Sequence, residues 1–388
     1  MHLILGAGCA GLSLAVALVD EGVRDPIVLV DRRTTFENDR TWCFWSTDDL
    51  RLPEGVVAHQ WERWQMIGRD GRAVARSSAL HPYRQVRADD FYASTRTRLA
   101  EAGNVELRLG ERVTAVRPGA GGVIEVETSR HTFHTTRVYD AMGGSGPLLA
   151  DRSEGSIELR QSFLGMEVET ARPRFDPQMA TLMDFRTGPS GTTSHGDGGL
   201  HFMYLLPTSP TRALVEHTTL GLRGVTPARR RAAIADHLAR HHEVDQFAVV
   251  REERGTLPMS TYVFPVRHPS GVLAVGAAAG AIRPSSGYAF VRIQRHVRAL
   301  ARSIALGQPP PSQLGRSRHA LLDLLFLRSL AAEPEAFNGT LLALARRTSG
   351  DAFARFMSDA SSPRDEARIV ASLARPDFLG RMAASSLL

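Results

Sequence analysis

The chain has 388 residues, of which 43% are hydrophobic, 23% charged and 7% aromatic; these fractions exclude a disordered, collagenous or coiled-coil protein. Its formal charge of +6 comes from 47 basic residues, all of them arginine, against 41 acids. With no lysine there is no Schiff-base chemistry and no Walker-type phosphate lysine. The arginines are scattered rather than blocked, which argues against a nucleic-acid partner and for an anionic cofactor or a membrane surface. Two cysteines, Cys9 and Cys43, are too few for a structural zinc site or a disulfide framework and are expected as reduced thiols in a cytoplasmic chain.

In chain order, Leu3-Ile4-Leu5 reads as a short buried strand and Gly6-Ala7-Gly8-Cys9-Ala10-Gly11 as a tight turn. Residues 12–18 suit a helix, with small Ala15 and Ala17 for close packing, and residues 27–30 a second buried strand ending in Asp31. The apolar start lacks a charged leader and is broken by glycines, so it does not read as a secretory signal. No window reaches the length of a membrane span. Residues 99–126 read as a helix end and two strands (105–109 and 123–127), and 138–141 as a strand running into Gly143-Gly144. From 157 to 263 the pattern changes to alternation: 163–169, 200–205 and 213–218 suit half-buried antiparallel strands. Between the last of these and residue 263 lies an arginine-rich surface helix at 227–242. Residues 273–276 return to the buried-strand pattern, followed by a glycine-rich turn and a helix over 288–306. Gln308-Pro309-Pro310-Pro311 is a stiff linker, and 317–388 is a helical tail broken at Pro334, Pro363 and Pro376.

Gly6-x-Gly8-x-x-Gly11 has the context that a dinucleotide site requires: a strand before, a helix after and an acid about twenty residues on. The first glycine makes the turn, the second admits a pyrophosphate, and the third lets helix and strand touch. Unpaired N–H groups of the helix, from Ala10 onward, face the phosphates, and Asp31 accepts from the ribose hydroxyls. The late return at Val275-Gly276-Ala277-Ala278-Ala279-Gly280 resembles the layout of FAD enzymes of the hydroxylase-like group. That resemblance implies an α/β fold: a Rossmann-like FAD-binding domain (1–48, 85–156 and 264–308), an inserted antiparallel-sheet substrate domain (49–84 and 157–263) and a helical C-terminal region (309–388). It also implies cofactor contacts from Gly276 and Gly280, from Val113 near the adenine, and from Arg87 at the pyrophosphate, although Arg87 could equally be a solvated arginine. Hydroxylases of this group carry Asp where this chain has Ala277, a departure that leans against oxygen chemistry.

Six segments stand out: Asp39-Arg40-Thr41-Trp42-Cys43-Phe44-Trp45, Met183-Asp184-Phe185, Phe202-Met203-Tyr204-Leu205-Leu206-Pro207, Leu214-Val215-Glu216-His217-Thr218, Gly255-Thr256-Leu257-Pro258-Met259 and Arg283-Pro284-Ser285-Ser286-Gly287-Tyr288. On these the chain resembles the bacterial-type lycopene cyclases, flavoproteins of carotenoid biosynthesis. The resemblance implies reduced FAD, formed at the expense of NAD(P)H, and closure of lycopene ends into β-rings with no net redox change. It also implies a cytoplasmic enzyme held peripherally at the inner face of the membrane. The competing enzyme class on the same scaffold is an FAD-dependent hydroxylase or prenyl-chain reductase acting on a hydrophobic isoprenoid. A non-enzymatic alternative is a flavin-binding sensor or carotenoid carrier.

Such ring closure needs an acid, a dry pocket and electron-rich surfaces that tolerate a cation. Glu216 is the acid candidate: it shares a strand face with Leu214 and Thr218, and apolar surroundings keep a carboxyl protonated. On residues alone it could be a strand-rim glutamate. Trp42, Phe44, Trp45 and Tyr204 are candidate faces toward the cation, with core packing as the alternative. Pro284, Ser286, Gly287 and Tyr288 are expected at the flavin edge, with Ser285 or Ser286 as an alternative helix cap. His237 and His241, four apart, read as a solvated helix face rather than metal ligands, and His131 and His134 likewise; no metal is expected. Arg229-Arg230-Arg231 either touches lipid or is solvated, and the apolar run 321–327 is either a core helix or a membrane-docking face.

Overall fold

The computed structural model describes residues 1–143, 148, 156–187, 199–311, 317–334 and 337–373; Gly144 and the tail from 374 onward, with Pro376, lie outside them. Strand β1 (His2–Leu5), helix α1 (Cys9–Asp20) and β2 (Ile27–Asp31) form where the apolar runs predict them. β1 is buried throughout because its sheet is covered on both faces. Next come β3 (Thr41–Trp45), β4 (Val57–Trp61), the hairpin of β5 (Arg63–Ile67) and β6 (Ala73–Ser77), and β7 (Tyr83–Arg87). Helix α2 (Ala88–Ala102) ends on Gly103, whose φ of 73° supplies the left-handed cap. It leads to β8 (Val105–Leu109), the meander β9 (Val113–Pro118), β10 (Ile124–Thr128) and β11 (Thr132–Thr135), and then β12 (Val138–Asp140).

The alternating region supplies β13 (Glu158–Glu169), β14 (Met179–Asp184), β15 (Leu200–Ser209) and β16 (Arg212–Gly221). Helix α3 (Pro227–His242) starts at Thr226, whose Oγ1 accepts from the Arg229 N–H at 3.4 Å, and β17 (Ala248–Ser260) follows. The chain then gives β18 (Leu273–Ala274), α4 (Phe290–Ala305), α5 (Ser317–Ala332), α6 (Phe337–Arg347), α7 (Gly350–Met357) and α8 (Pro363–Leu373).

Two sheets carry the architecture. The first, in the order β18-β12-β1-β2-β8, is parallel throughout. Ile4 and Leu29 pack toward α1 and α4, while Leu3, Leu5, Val28 and Val30 pack on Ile124, Val126 and Phe133 of the meander. The second, in the order β17-β13-β16-β15-β14-β5-β6, is mixed and not purely antiparallel as expected: β5 runs parallel to β14. No hairpin joins that pair, since β5 arrives from a distant part of the chain, so turn geometry does not fix its direction. A small sheet, β3-β7-β4, bridges the two. It spans the expected divisions at 48/49 and 84/85, sending Phe44 and Val86 into the core of the first sheet and Trp45, Trp61 and Tyr83 into that of the second.

Helix α3 covers one face of the second sheet through Ile234 and Leu238, and here two expectations are corrected. His237 is buried, with Nε2 3.6 Å from Asp184 Oδ2. Arg230 is buried as well, donating to His217 O at 2.8 Å and to Thr219 Oγ1 at 2.9 Å. Positions 230, 234, 237 and 238 form one helical stripe, and its polar members are tolerated because the sheet offers them partners. Arg231 points outward and pairs with Glu252 at 2.6 Å. Among the described residues there is no cluster of three or more metal-ligating side chains, and no helix is long and apolar enough to cross a membrane.

Candidate functional site

A cavity of about 880 Å³ runs between the two sheets and under the tail helices. One end is the glycine turn. A Cβ on Gly11 would stand 1.9 Å from Gly6 O, so this glycine is required for β1 and α1 to meet. Gly8 differs: a Cβ there would meet nothing nearer than Arg33 Nη2 at 3.9 Å, and the residue lines the cavity with Gly6 and Ala10. Helix α1 has no side-chain cap, leaving its first N–H groups for whatever occupies this end. Asp31 lines the cavity, but its oxygens already accept from the backbone N–H of Ala7 at 2.7 Å and of Arg33 at 2.8 Å, so it also holds the turn. The Arg33 guanidinium is ion-paired with Asp31 at 3.2 Å and lies over the rings of Phe36 and Tyr92. Val113 lines the same end.

Three expected contacts fall elsewhere. Arg87 closes β7 away from the cavity wall, claimed by Asp89 at 3.1 Å in the first turn of α2. Gly276 and Gly280 stand behind the wall, and Ala277 is the residue that lines it. A Cβ on Gly276 (φ 66°) would lie 2.4 Å from the Ala10 Cβ, and one on Gly280 would lie 2.7 Å from Phe264. These glycines pack the late turn against α1 and its neighbours.

The middle chamber is built on the inner face of the second sheet. Alternation along β16 turns Leu214, Glu216 and Leu220 inward, while Val215 packs under α3. Glu216 Oε1 accepts from Thr218 Oγ1 at 2.6 Å. Burial, and then the neighbouring Glu253, push the Glu216 carboxyl up to about 8, against the opposing effects of Thr218 and Arg230; it is therefore mostly protonated at neutral pH. Glu253, from β17, lines the same chamber and pairs with Arg251 at 2.5 Å. The Tyr83 hydroxyl bonds those of Tyr204 at 2.6 Å and Tyr288 at 2.9 Å, and burial pushes all three phenols up, which keeps them neutral.

Trp42 and Cys43 line the cavity, but Phe44 and Trp45 do not. β3 runs from the wall into the core, where Phe44 stacks on Phe290 at 4.8 Å and Trp45 meets Trp64 edge-on at 5.7 Å. Ser286, Gly287 and Tyr288 are on the wall, and Pro284 is off it. Neither serine caps α4, which starts at Phe290 behind Ala289 with no side-chain cap. Ser285 Oγ instead donates to Asp323 Oδ1 at 2.5 Å, and Ser286 Oγ accepts from the Tyr288 N–H at 3.4 Å.

The far wall is mostly hydrocarbon, from Leu322, Leu325 and Phe326 of α5, Leu341 of α6 and Ile369 of α8, with Asp323 and Thr340 set into it. The apolar run 321–327 thus divides. Leu327 is core, residues 322, 323, 325 and 326 are wall, and Leu321, 57% exposed, stands with the 47% exposed Val370 at the rim. Residue-level reading missed Arg33, Tyr83 and Glu253. Arg33 follows the strand-end acid and could have been found from that position; nothing local marks the other two.

Residues 2–378 match the family described as lycopene cyclase protein. A lycopene beta-cyclase of Paracoccus sp. is 37% identical over 134 residues, covering 34% of this chain and 32% of that protein. An uncharacterized carotenoid cyclase of Deinococcus radiodurans is 31% identical over 182 residues, covering 46% and 42%. These matches span less than half the length of either relative. A lycopene beta-cyclase of Pantoea ananas is 26% identical over 301 residues, covering 74% and 70%. Among solved structures, a geranylgeranyl bacteriochlorophyll reductase-like protein of Thermoplasma acidophilum superposes with a TM-score of 0.63 at 13% identity, covering 98% of both chains. The flavin-dependent monooxygenase PieE, solved with FAD and substrate, gives 0.61 at 15% identity, covering 96% of this chain and 70% of that one. The fold is that of the hydroxylase-like flavoproteins.

Proposed function

The chain belongs to the lycopene cyclase family, and from that premise we propose that it closes the linear ends of lycopene into β-rings, giving gamma- or beta-carotene. The cofactor is reduced FAD, formed at the expense of NAD(P)H and not consumed in turnover, and the reaction is an isomerisation of the intramolecular-lyase type with no net redox change. The observation that carries this reading is the Glu216 carboxyl, mostly protonated at neutral pH in a chamber it shares with the Arg251-paired Glu253, neutral phenols and a largely hydrocarbon wall.

The glycine end fits a dinucleotide. Gly8 leaves room where a side chain would stand, α1 offers uncapped N–H groups, and Arg33 adds a cation beside them. On this reading Gly6, Gly8, Ala10 and Arg33 hold the pyrophosphate side, Val113 the adenine side, and Ala277, Ser286 and Gly287 the flavin side. Gly11, Gly276 and Gly280 keep the supporting backbone close-packed. Bound there, the reduced flavin supplies an electron-rich ring that favours nearby positive charge. We take residues 1–48, 85–156 and 264–308 as the nucleotide-binding unit, 49–84 and 157–263 as the substrate unit and 309–388 as a C-terminal region, whose described helices α5, α6 and α8 line the chamber.

Glu216 transfers its proton to the terminal double bond of the polyene, leaving a tertiary cation. The next double bond attacks it, the ring closes, and a proton leaves the ring to restore the alkene. Water would capture the cation as an alcohol, so the leucine and phenylalanine wall matters chemically as well as for binding. Trp42, Tyr204 and Tyr288 offer ring faces to the charge without a nucleophile, their phenols being neutral. Bringing a C40 hydrocarbon through water would cost roughly 30 kcal/mol at about 0.8 kcal/mol per carbon. The substrate must therefore come directly from a bilayer, and exposed Leu321 and Val370 at the rim support peripheral attachment to the inner membrane face.

The test is pigment analysis of a lycopene-accumulating bacterial host expressing the chain. Cyclic carotenes are expected. Unchanged lycopene would overturn the reading, and an oxygenated or hydrogenated product would replace it with a hydroxylase or reductase.

A further inference from the structure

Gly165 of β13 pairs with Glu216 on one side and Glu253 on the other, so the three residues form one row across the sheet with both carboxyl side chains on the chamber face. A Cβ on Gly165 would lie 3.3 Å from Glu253 Cγ and 3.6 Å from Glu216 Cβ. The residue between the two acids is thus the one type that puts nothing between them. Their partners are unequal. Glu253 Oε2 accepts from Arg251 Nη1 at 2.5 Å and from Thr41 Oγ1 at 2.9 Å. Arg251 is itself fixed, donating to Thr41 Oγ1 at 2.8 Å, Asn38 O at 3.1 Å and Glu167 Oε2 at 3.3 Å. Glu216 has the Thr218 hydroxyl.

We propose that Glu253 is a positioning residue for Glu216: its carboxylate, clamped by Arg251 and Thr41 and facing Glu216 over the bare backbone of Gly165, keeps the exchangeable proton on Glu216 and drives Glu216 to take up a ring proton after closure. The proposal deepens the cyclase reading and rests on it for the catalytic step. Two carboxyl groups that feel each other's charge share protons unequally, and the one without a cation keeps its proton. The other groups facing Glu216 do not compete for this role. Tyr204 on β15 and Tyr288 before α4 are neutral phenols, Cys43 on β3 is a thiol that burial pushes up, and Arg230 on α3 spends its guanidinium on His217 O and Thr219 Oγ1.

The balance of the step follows. The Glu216 O–H bond breaks and a C–H bond forms at the inner carbon of the terminal double bond, which puts the positive charge on the outer, tertiary carbon. That leaves two carboxylates facing each other and a carbocation between the walls. The pair favours the cation, and repulsion across Gly165 makes Glu216 a stronger base. When the ring has closed, a different ring C–H bond breaks, its electron pair forms the new double bond, and the released proton reprotonates Glu216. No electrons are gained or lost.

The test is an infrared pH titration of the full-length holoprotein, following the protonated-carboxyl band that disappears in Glu216→Gln, together with kcat and KM on lycopene in liposomes. In wild type the midpoint is expected near 8. Glu253→Gln removes the neighbouring charge and should move the midpoint, and the alkaline fall of kcat, downward by about one pH unit, with KM within about twofold. Glu253→Asp should restore most of the shift. Should Glu253→Gln fail to fold, Arg251→Gln gives the opposite sign, because losing a cation moves the pair's titration upward. Lycopene cyclised with unmoved midpoints in these variants would overturn the proposal and leave the cyclase reading standing. Midpoints that move as stated while lycopene remains unchanged would uphold the coupling and remove the cyclase reading.

Discussion

Arg283 donates through Nε to Asp323 Oδ1 at 3.1 Å, and the arginine side chain is wholly excluded from solvent. The pair ties the turn bearing Ser286, Gly287 and Tyr288 to α5, which carries part of the hydrocarbon wall. Ser285 bonds the same aspartate oxygen, and Asp359 adds a second counter-charge 3.5 Å from Arg283 Nη1. Replacing Asp323 with Ala leaves a buried guanidinium short of charge and is expected to cost about 3 kcal/mol, as for other broken buried pairs. The urea midpoint should drop and bound flavin should be lost with it; an unchanged midpoint would show that this pair does not hold the turn.

The glycine turn separates two roles. Gly11→Ala puts a Cβ 1.9 Å from the Gly6 carbonyl oxygen, a backbone atom that cannot step aside, so the flavin-free protein should itself melt markedly lower. Gly8 has extended backbone (φ −81°, ψ −167°) and open space at its Cβ position. Gly8→Ala should leave flavin-free stability within about 0.5 kcal/mol while weakening flavin about tenfold, a 1.4 kcal/mol effect. Thermal melts and fluorescence titration with FAD read the two effects independently.

Arg87 and Arg33 should behave differently. Arg87 is held by Asp89 off the cavity, so Arg87→Ala should change flavin affinity less than about twofold. Arg33 lines the cavity beside Gly8, and Arg33→Ala should weaken flavin about tenfold, with a steeper loss at low salt, where unscreened attraction counts most. Equal effects of the two variants would contradict the assignment of the pyrophosphate end.

Glu216 also makes stability depend on pH. Its carboxyl titrates near 8 in the folded protein against 4.5 ordinarily. Between those values the folded chain holds a proton that the unfolded chain releases, so stability falls as pH rises through the window. Glu216→Gln removes that dependence. The variant should match wild type near pH 4 and exceed it by a few kcal/mol at pH 8, about 1.4 kcal/mol per unit of difference. Parallel stability–pH curves for the two proteins would count against the raised value.

The first strand-turn-helix and the face of β16 that carries Glu216 were legible because each depends on residues within one element. A glycine spacing fixes a turn, and alternation fixes which side chains share a face. The same reasoning misled at His237 and Arg230, whose helix looked solvated by composition, because burial depended on the sheet packed beneath it. It also grouped Phe44 and Trp45 with Trp42, since proximity in sequence does not tell where a strand leaves a cavity wall and enters the core.

By itself the sequence determined a dinucleotide-type opening, an inward-facing glutamate on an alternating strand and an apolar tail of no certain address, all consequences of short-range geometry. Only the tertiary structure decided that Glu253 stands across Gly165 from Glu216, that a tyrosine from β7 joins Tyr204 and Tyr288, and that the tail walls the chamber. Those relationships come from strand register and packing between segments far apart in the chain, where a shift of one residue would turn every side chain to the opposite face.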